Sequence, residues 1–444
     1  MSVFHPDVYR TDRKAPSWWE ASASVREAPP VTGDVDTEVA IIGGGYVGLS
    51  AALHLARDHG ISATVLEAGP IGWGASGRNG GFVGYPWVKK SPEDLIKTYG
   101  EAETRRVFDC MQEGPRLVRE LLATEAIDAD PQGDAIYEVA HTPKIAPELK
   151  EAAEFYHRVL GVPAFYLDRY AFAEIGHGGT EQFGAFGIRD LFGIHPLKFV
   201  AGLREAAERR GARLHGGSRV VGWEKIGAVH HLRTAGGTVR ARTVLLATNG
   251  YTPDDLDPRF ANRTLPALSN IIVTRPLTED ERAAEGWKTD CPVSNARNLL
   301  FYYRMLPDGR FLFGGRGGTA GSPLEDMRMK SYLTRRLGEV FPAWKGVVID
   351  HFWNGLVCLT GRLTPALGRL DDDPSIHYAF GWHGNGVSAA PWAGRRMAEM
   401  IAGRSTVEDL PVPFRGLPPN LLHPWIRRMG LKAAYLWYGL KEPQ

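Results

Sequence analysis

Apolar and polar positions near the start of the chain fall into two alternating rhythms. Residues 38–42 (Glu-Val-Ala-Ile-Ile) form a short apolar run ending in glycines, which predicts a buried strand. Residues 46–58 carry apolar side chains at helical spacing and stop before Gly60, a helix terminator. Residues 63–67 (Ala-Thr-Val-Leu-Glu) predict a second buried strand. Strand, helix and strand in this order make a βαβ unit, whose parallel pairing requires the crossover. Ahead of it, residues 1–35 read as an extended arm, because Pro6, Pro16, Pro29, Pro30 and Gly33 oppose regular structure.

Further along, the helical rhythm returns at 91–125, 143–160, 198–210, 323–338 and 387–402. Residues 219–223 and 243–248 read as strands, with a hairpin of 228–233 and 238–242 between them, turned at Gly236-Gly237. The stretch 262–316 is β-rich, and Pro307-Asp308-Gly309 is the turn between strands at 299–306 and 310–314. Residues 347–353 and 376–380 complete the predicted strands. The class is α/β: a Rossmann-like dinucleotide unit, with a β-rich region further along the chain.

Composition narrows this picture by exclusion. A formal net charge of +1 over 444 residues, with both signs interspersed, gives no field for nucleic acid. Three scattered cysteines without a C-x-x-C pair suggest neither zinc site nor disulfide framework, and no metal site is expected. No apolar run is long enough for a transmembrane segment, and the polar, proline-containing start does not read as a signal peptide. The expected location is the cytoplasm.

The chemistry is concentrated in glycine-rich turns. Gly43-Gly44-Gly45-Tyr46-Val47-Gly48 contains G-x-G-x-x-G between a buried strand and a helix, the context that gives the pattern meaning. Gly43 permits the tight turn, Gly45 lets backbone approach a pyrophosphate, and Gly48 allows close helix–strand packing. The helix start at Tyr46 and Val47 offers free N–H groups and a positive dipole end to phosphate. Glu67, followed by Ala68, ends the second strand where an acid accepts hydrogen bonds from ribose hydroxyls. The next loop, Gly72 to Phe82, presents Gly74, Ala75, Ser76, Arg78, Asn79, Gly80 and Gly81. A nicotinamide domain usually runs on into a helix here; this loop suits a flavin nucleotide instead.

The stretches IIGGGYVGLSAALHLA, LEAGPIGWGASGRNGGF, PSWWEA and LLATNGYT resemble the D-amino-acid oxidase superfamily, in particular its gamma-glutamylputrescine oxidase-like branch. WNGLVCLTGRLTPALGR and GWHGNGVSAAPWAG resemble the corresponding segments of glycine oxidase. The resemblance implies a discontinuous Rossmann-like FAD-binding domain (36–110, 190–255 and 365–410), an α+β substrate domain with a large antiparallel sheet (111–189 and 256–364) and a C-terminal tail (411–444). It places Val220 at the adenine end, Thr248, Asn249 and Gly250 along the next turn, and Gly384, Asn385, Gly386 and Val387 at the flavin ring. On the substrate side it points to Arg304 as a carboxylate clamp, with Tyr302, His383 and Tyr251 as pocket residues. Gly384 stands where glycine oxidase has an arginine, and Ser388 near where monomeric sarcosine oxidase has a lysine.

The implied reaction is oxidation of the C–N bond of a small-molecule amine or amino acid, with hydride passing to the flavin and the imine hydrolysing. The electrons then go to O2 or to another acceptor, a protein or quinone; a non-enzymatic FAD-fold protein is the remaining alternative. The FAD is expected to be non-covalent: Arg78 occupies the position of a flavin-linked histidine, and Cys358 falls out of register with the cysteine that links flavin in sarcosine oxidase.

Overall fold

A computed structural model describes residues 3–441. The chain builds two eight-stranded sheets. The first is parallel at its centre. Val35–Ile42 lies between Ala63–Leu66 and Gly237–Leu246, with Arg213–His215 beyond the former and Ile376–Phe380 beyond the latter, all parallel. Its central strand ends in four consecutive buried residues, Val39 to Ile42, as expected of a strand covered on both faces. Three separated stretches of chain therefore meet in one sheet.

Three helices stack on this sheet. Tyr46–His59 packs against Pro196–Arg209 and Gly386–Ile401. The last contact is close because a Cβ on Gly394 would lie 2.6 Å from the Val47 carbonyl oxygen. The second sheet runs Ile349–Leu359, Leu265–Pro276, Arg310–Arg316, Phe301–Met305, Val293–Asn295, Ala135–Val139, Ala185–Arg189, Ala164–Leu167. It is antiparallel except where Val293–Asn295 meets Ala135–Val139. An aromatic core, including Tyr303, Phe311, Phe341 and Trp344, fills the space between this sheet and helix Pro323–Val340.

Several elements differ from the sequence expectation. The hairpin strand at 238–242 and the strand at 243–248 are one strand, Gly237–Leu246. Its first half pairs with Val229–Thr234 and its second with Ile376–Phe380. The strand expected at 219–223 begins at Gly222 and runs to Ile226. The helix expected over 91–125 breaks at Gly100 (φ 84°) into Pro92–Tyr99 and Glu101–Thr124, because a left-handed residue cannot continue a helix. The arm is not wholly extended: a short turn, Pro6–Tyr9, and a short helix, Trp18–Ser22, dock on the body through buried Val8 and Trp19. The tail ends in a helix, Pro424–Lys441. No helix among the described residues is long and apolar enough to cross a membrane.

Candidate functional site

Two adjoining cavities occupy the junction of the two sheets. The larger, about 740 Å³, starts at the glycine turn. Gly43 has φ 114°, and a Cβ there would stand 2.7 Å from the Ala247 carbonyl oxygen. Gly48 lies beneath the turn, where a Cβ would come within 2.0 Å of the Gly43 carbonyl oxygen. A Cβ on Gly45 would meet the Ser76 hydroxyl at 2.8 Å. Only glycine leaves this cradle open, which is what a dinucleotide pressed against backbone requires.

Glu67 lines the same cavity. Its carboxylate accepts from the Gly44 N–H at 2.7 Å and the Gly69 N–H at 3.2 Å. Burial raises its pKa, and those N–H groups oppose the rise. Ala68, Tyr46, Val47, Val220, Thr248, Asn249, Gly250 and Tyr251 complete this wall. Asn249 holds a left-handed φ of 48°, and its Oδ1 accepts from the Gly381 N–H at 2.9 Å, tying two strand ends together. The Tyr251 hydroxyl accepts from the Leu356 N–H at 3.2 Å.

The loop after Glu67 is held by its own hydrogen bonds. Ser76 Oγ accepts from the Tyr46 N–H at 2.9 Å. Asn79 Nδ2 donates to the Ala75 and Ser76 carbonyls at 3.0 and 2.9 Å, while its Oδ1 accepts from the Gly81 N–H at 2.8 Å. Arg78 donates to the Trp73 carbonyl at 2.7 Å and stacks 4.1 Å above the Trp73 ring. Gly74, Ala75, Ser76 and Asn79 face the larger cavity; Arg78 and Gly80 face the smaller. Gly81 faces neither and packs on Ile194, where a Cβ would be 2.0 Å from the carbonyl oxygen. At the other end, Gly384, Gly386 and Val387 bring the start of helix Gly386–Ile401 to the larger cavity. Two helix N-termini thus border one enclosed space, favouring negative charge within it.

The smaller cavity, about 270 Å³, shares Ala75, Asn79, Leu356, Val357, Gly384 and Val387 with the larger. Tyr302, His383 and Asn385 line it. The Tyr302 and Ser269 hydroxyls are 2.9 Å apart, and burial pushes the phenol up to about 12. His383 is fully buried with φ 50°. Its Nδ1 lies 2.9 Å from the Trp87 carbonyl and its Nε2 3.3 Å from the Thr360 N–H, so Nε2 accepts and Nδ1 donates. Burial lowers its pKa to about 3, keeping it neutral. Asn385 Nδ2 donates to the Pro86 carbonyl at 2.6 Å. Ser388 faces neither cavity; it donates to the Gly84 carbonyl and accepts from Trp87 Nε1 at 2.9 Å.

Arg304 does not reach either cavity. It is buried, donating to the Ile194 carbonyl at 2.5 Å and to Gln132 Oε1 at 3.4 Å. The charged residues that do line the smaller cavity are Lys89, Glu138 and Arg316, besides Arg78. None of the first three stands out in the sequence. Their signals were faint: a lysine pair after the flavin loop, one acid in an apolar alternation, and an arginine among glycines. His423, Pro424 and Arg427 of the tail and Val3, Pro6, Tyr9 and Thr11 of the arm close the larger cavity.

A family model described as FAD dependent oxidoreductase (DAO) matches residues 38–400. Gamma-glutamylputrescine oxidoreductase of Escherichia coli (strain K12) is 34% identical over 420 residues, spanning 90% of this chain and 92% of that protein. A probable oxidoreductase, OrdL, of Rhizobium meliloti (strain 1021) is 32% identical over 434 residues, 96% and 97% of the two chains. Among solved structures, L-amino acid deaminase from Proteus vulgaris superposes with a TM-score of 0.71 at 16% identity, over 88% of this chain and 99% of that one. Glycine oxidase from Bacillus cereus gives 0.67 at 20%, over 87% and 100%. At those identities the structural likeness is one of fold. A dinucleotide cradle, an acid at the second strand's end and a matching family model over most of the chain lead to one conclusion: the protein belongs to the DAO family of FAD-dependent oxidoreductases, and FAD is its cofactor.

Proposed function

We propose that the protein oxidises the CH–N bond of an amine or amino acid bound in the smaller cavity, with O2 as the final electron acceptor. The observation that carries this reading is the wall common to the two cavities, formed by Ala75, Asn79, Leu356, Val357, Gly384 and Val387. A substrate in the smaller space would meet whatever the larger space holds across that wall. The names of gamma-glutamylputrescine oxidoreductase and glycine oxidase, both relatives by sequence, support a nitrogen-bearing donor.

In this reading Glu67 would accept from the ribose, and the start of helix Tyr46–His59 would face the pyrophosphate with the N–H groups beyond Tyr46, whose own N–H is donated to Ser76. Gly384 to Val387 would hold the ring, and Ser76 and Asn79 would fix the loop beside it. When bound, FAD supplies the acceptor for a hydride from the carbon next to nitrogen. The substrate loses that hydride and one proton from nitrogen, leaving an imine; water then gives a carbonyl compound and an amine or ammonia. Two electrons and two protons convert O2 to hydrogen peroxide. The residues orient the donor and exclude water: Tyr302, pinned by Ser269, and neutral His383 form fixed, uncharged walls.

An anaerobic screen for bleaching of the bound flavin tests this reading. It should cover simple amines, D- and L-amino acids, N-methyl amino acids and gamma-glutamyl amines. At least one class should bleach the flavin, and rapid mixing of the reduced protein with O2 should restore the colour with peroxide formed. Bleaching by none of these classes overturns the reading; bleaching without reoxidation by O2 moves the acceptor to a protein or quinone.

A further inference from the structure

The tail helix, Pro424–Lys441, carries apolar side chains on both of its faces. Inward, Leu431 is buried in one cluster with Val3, Phe4 and Leu268, and Arg427 donates to the Thr264 carbonyl at 2.7 Å and pairs with Asp254. These contacts fix the rotation of the helix. Outward stand Trp425, Met429 and Leu436, which are 62%, 53% and 70% exposed. At about 100° and 1.5 Å per residue they fall within roughly 40° of one another, in a line about 16 Å long. Ile426, Ala433 and Trp437, all exposed, broaden this line on one side. Among the described residues, no other element exposes as many large apolar side chains.

The charge along this helix has one sign. Residues 410–441 contain no Asp or Glu, and the helix itself carries Arg427, Arg428, Lys432 and Lys441. Arg427 is committed to Asp254, whereas Lys432 is exposed and Arg428 half-buried. By the same rotation Arg428 and Lys432 lie together on the flank opposite Ile426 and Ala433. The excess is local, because the formal net charge of the whole chain is only +1. An exposed apolar line of this extent is unfavourable in water and marks a contact surface.

We infer that this outer face lies on the surface of a bilayer that contains anionic phospholipid. Trp425, Met429 and Leu436 enter the boundary between headgroups and acyl chains, while Arg428 and Lys432 meet the lipid phosphates. Apolar burial and charge then act together, as they do for helices that lie in the plane of a membrane. No helix among the described residues is long and apolar enough to cross a membrane, so the contact is with the surface. Charge decides against a second copy of the chain as the occupant. Lys432 stands at the middle of the helix, so two-fold pairing of this face sets it against its own copy. The inner face of the same helix, through Pro424 and Arg427, closes the cofactor cavity, so lipid meets the outer side of that cover.

Sedimentation with vesicles tests this without turnover. FAD-loaded protein is mixed with vesicles of phosphatidylcholine alone or of phosphatidylcholine and phosphatidylglycerol in equal parts. It should bind the mixed vesicles, and phosphatidylcholine alone roughly tenfold more weakly; added salt should weaken the first binding. Lys432→Gln should weaken binding to the mixed vesicles about fivefold, the worth of one cation near an anionic surface. Met429→Ser combined with Leu436→Ser should weaken it on the order of tenfold or more, from lost apolar burial. Flavin absorbance and thermal unfolding check that each variant is folded. Binding to neither kind of vesicle, equal binding to both, or variants that sediment like the wild type overturn the assignment. A dimer in analytical ultracentrifugation that the double substitution dissociates also overturns it, because the occupant is then a second copy.

Discussion

Arg304 and Arg316 lie near opposite ends of neighbouring strands, and only Arg316 reaches the cavity. Period-two alternation correctly put Tyr302 and Arg304 on one face, but the cavity ends between them, and Arg304 runs on beneath Ile194 and Trp19. Its burial lowers its pKa to about 9, and it donates to the Ile194 carbonyl. Arg304→Ala should therefore lower stability by about 2–4 kcal/mol, from a lost buried donor and a cavity. Michaelis constants for acidic and uncharged amines should change alike; a selective loss for acidic substrates would return Arg304 to the substrate. Glu67→Ala should weaken FAD by about 1–3 kcal/mol, measured by flavin fluorescence on dilution. Unchanged affinity would remove Glu67 from the ribose. Cys358 lines the cofactor cavity, but burial pushes its thiol up to about 12, so it is protonated and a poor nucleophile. Acid precipitation should release all flavin to the supernatant; flavin mass on a Cys358 peptide would show a covalent link. The contrast between Glu67 and Glu138 explains what was legible. Glu67 belongs to a strand–turn–helix–strand unit contiguous in sequence, whereas Lys89, Glu138 and Arg316 come from three distant segments that only the fold assembles.

At the scale of elements, the βαβ core was readable because its strands are continuously apolar and its helix ends at a glycine. The outer strands Ala135–Val139, Ala164–Leu167 and Ala185–Arg189 were not. Each has five residues or fewer, too few for alternation to stand out, and each finds its register from a distant partner. The tail helix is likewise anchored from elsewhere. Arg427 donates to the Thr264 carbonyl at 2.7 Å and to Asn262 Oδ1 at 2.9 Å, and it pairs with Asp254. Leu431 buries against Val3, Phe4 and Leu268. These contacts fix His423 and Pro424 across the larger cavity. A chain ending at residue 418 should release FAD at least about tenfold faster, the equivalent of one charged hydrogen bond and its neighbours. Arg427→Ala should reproduce part of that change. Equal release rates for the full and shortened chains would make the helix irrelevant to cofactor retention.

The whole molecule carries several histidines whose pKa burial lowers, and they contribute to its response to acid. Burial lowers His177 and His383 to about 3, and His195 and His377 to about 4. In the unfolded chain each titrates near 6.5. Between pH 6.5 and about 4 the unfolded chain therefore binds protons that the folded chain does not, and stability falls as pH falls. Each fully excluded proton steepens the fall by about 1.4 kcal/mol per pH unit. Buried carboxyls such as Glu67 and Glu138, whose pKa values are raised, act in the opposite sense, so one histidine must be isolated to read its share. His177 is suited to this because it lies in the aromatic core, away from both cavities. Its Nδ1 accepts from the Gly179 N–H at 3.2 Å, its Nε2 lies 3.2 Å from the Tyr303 hydroxyl, and its ring stacks on Trp287 at 5.3 Å. A proton on Nδ1 would break the Gly179 bond and place a charge among aromatic rings. His177→Gln keeps an acceptor but does not titrate. Denaturant unfolding at pH 7.5, 6.0 and 5.0 should show this variant less stable than the wild type at pH 7.5, from lost ring packing. The deficit should then shrink by up to about 1.4 kcal/mol for each pH unit below 6.5. A deficit that stays constant across the three pH values would mean that His177 takes up its proton as readily in the folded chain as in the unfolded one.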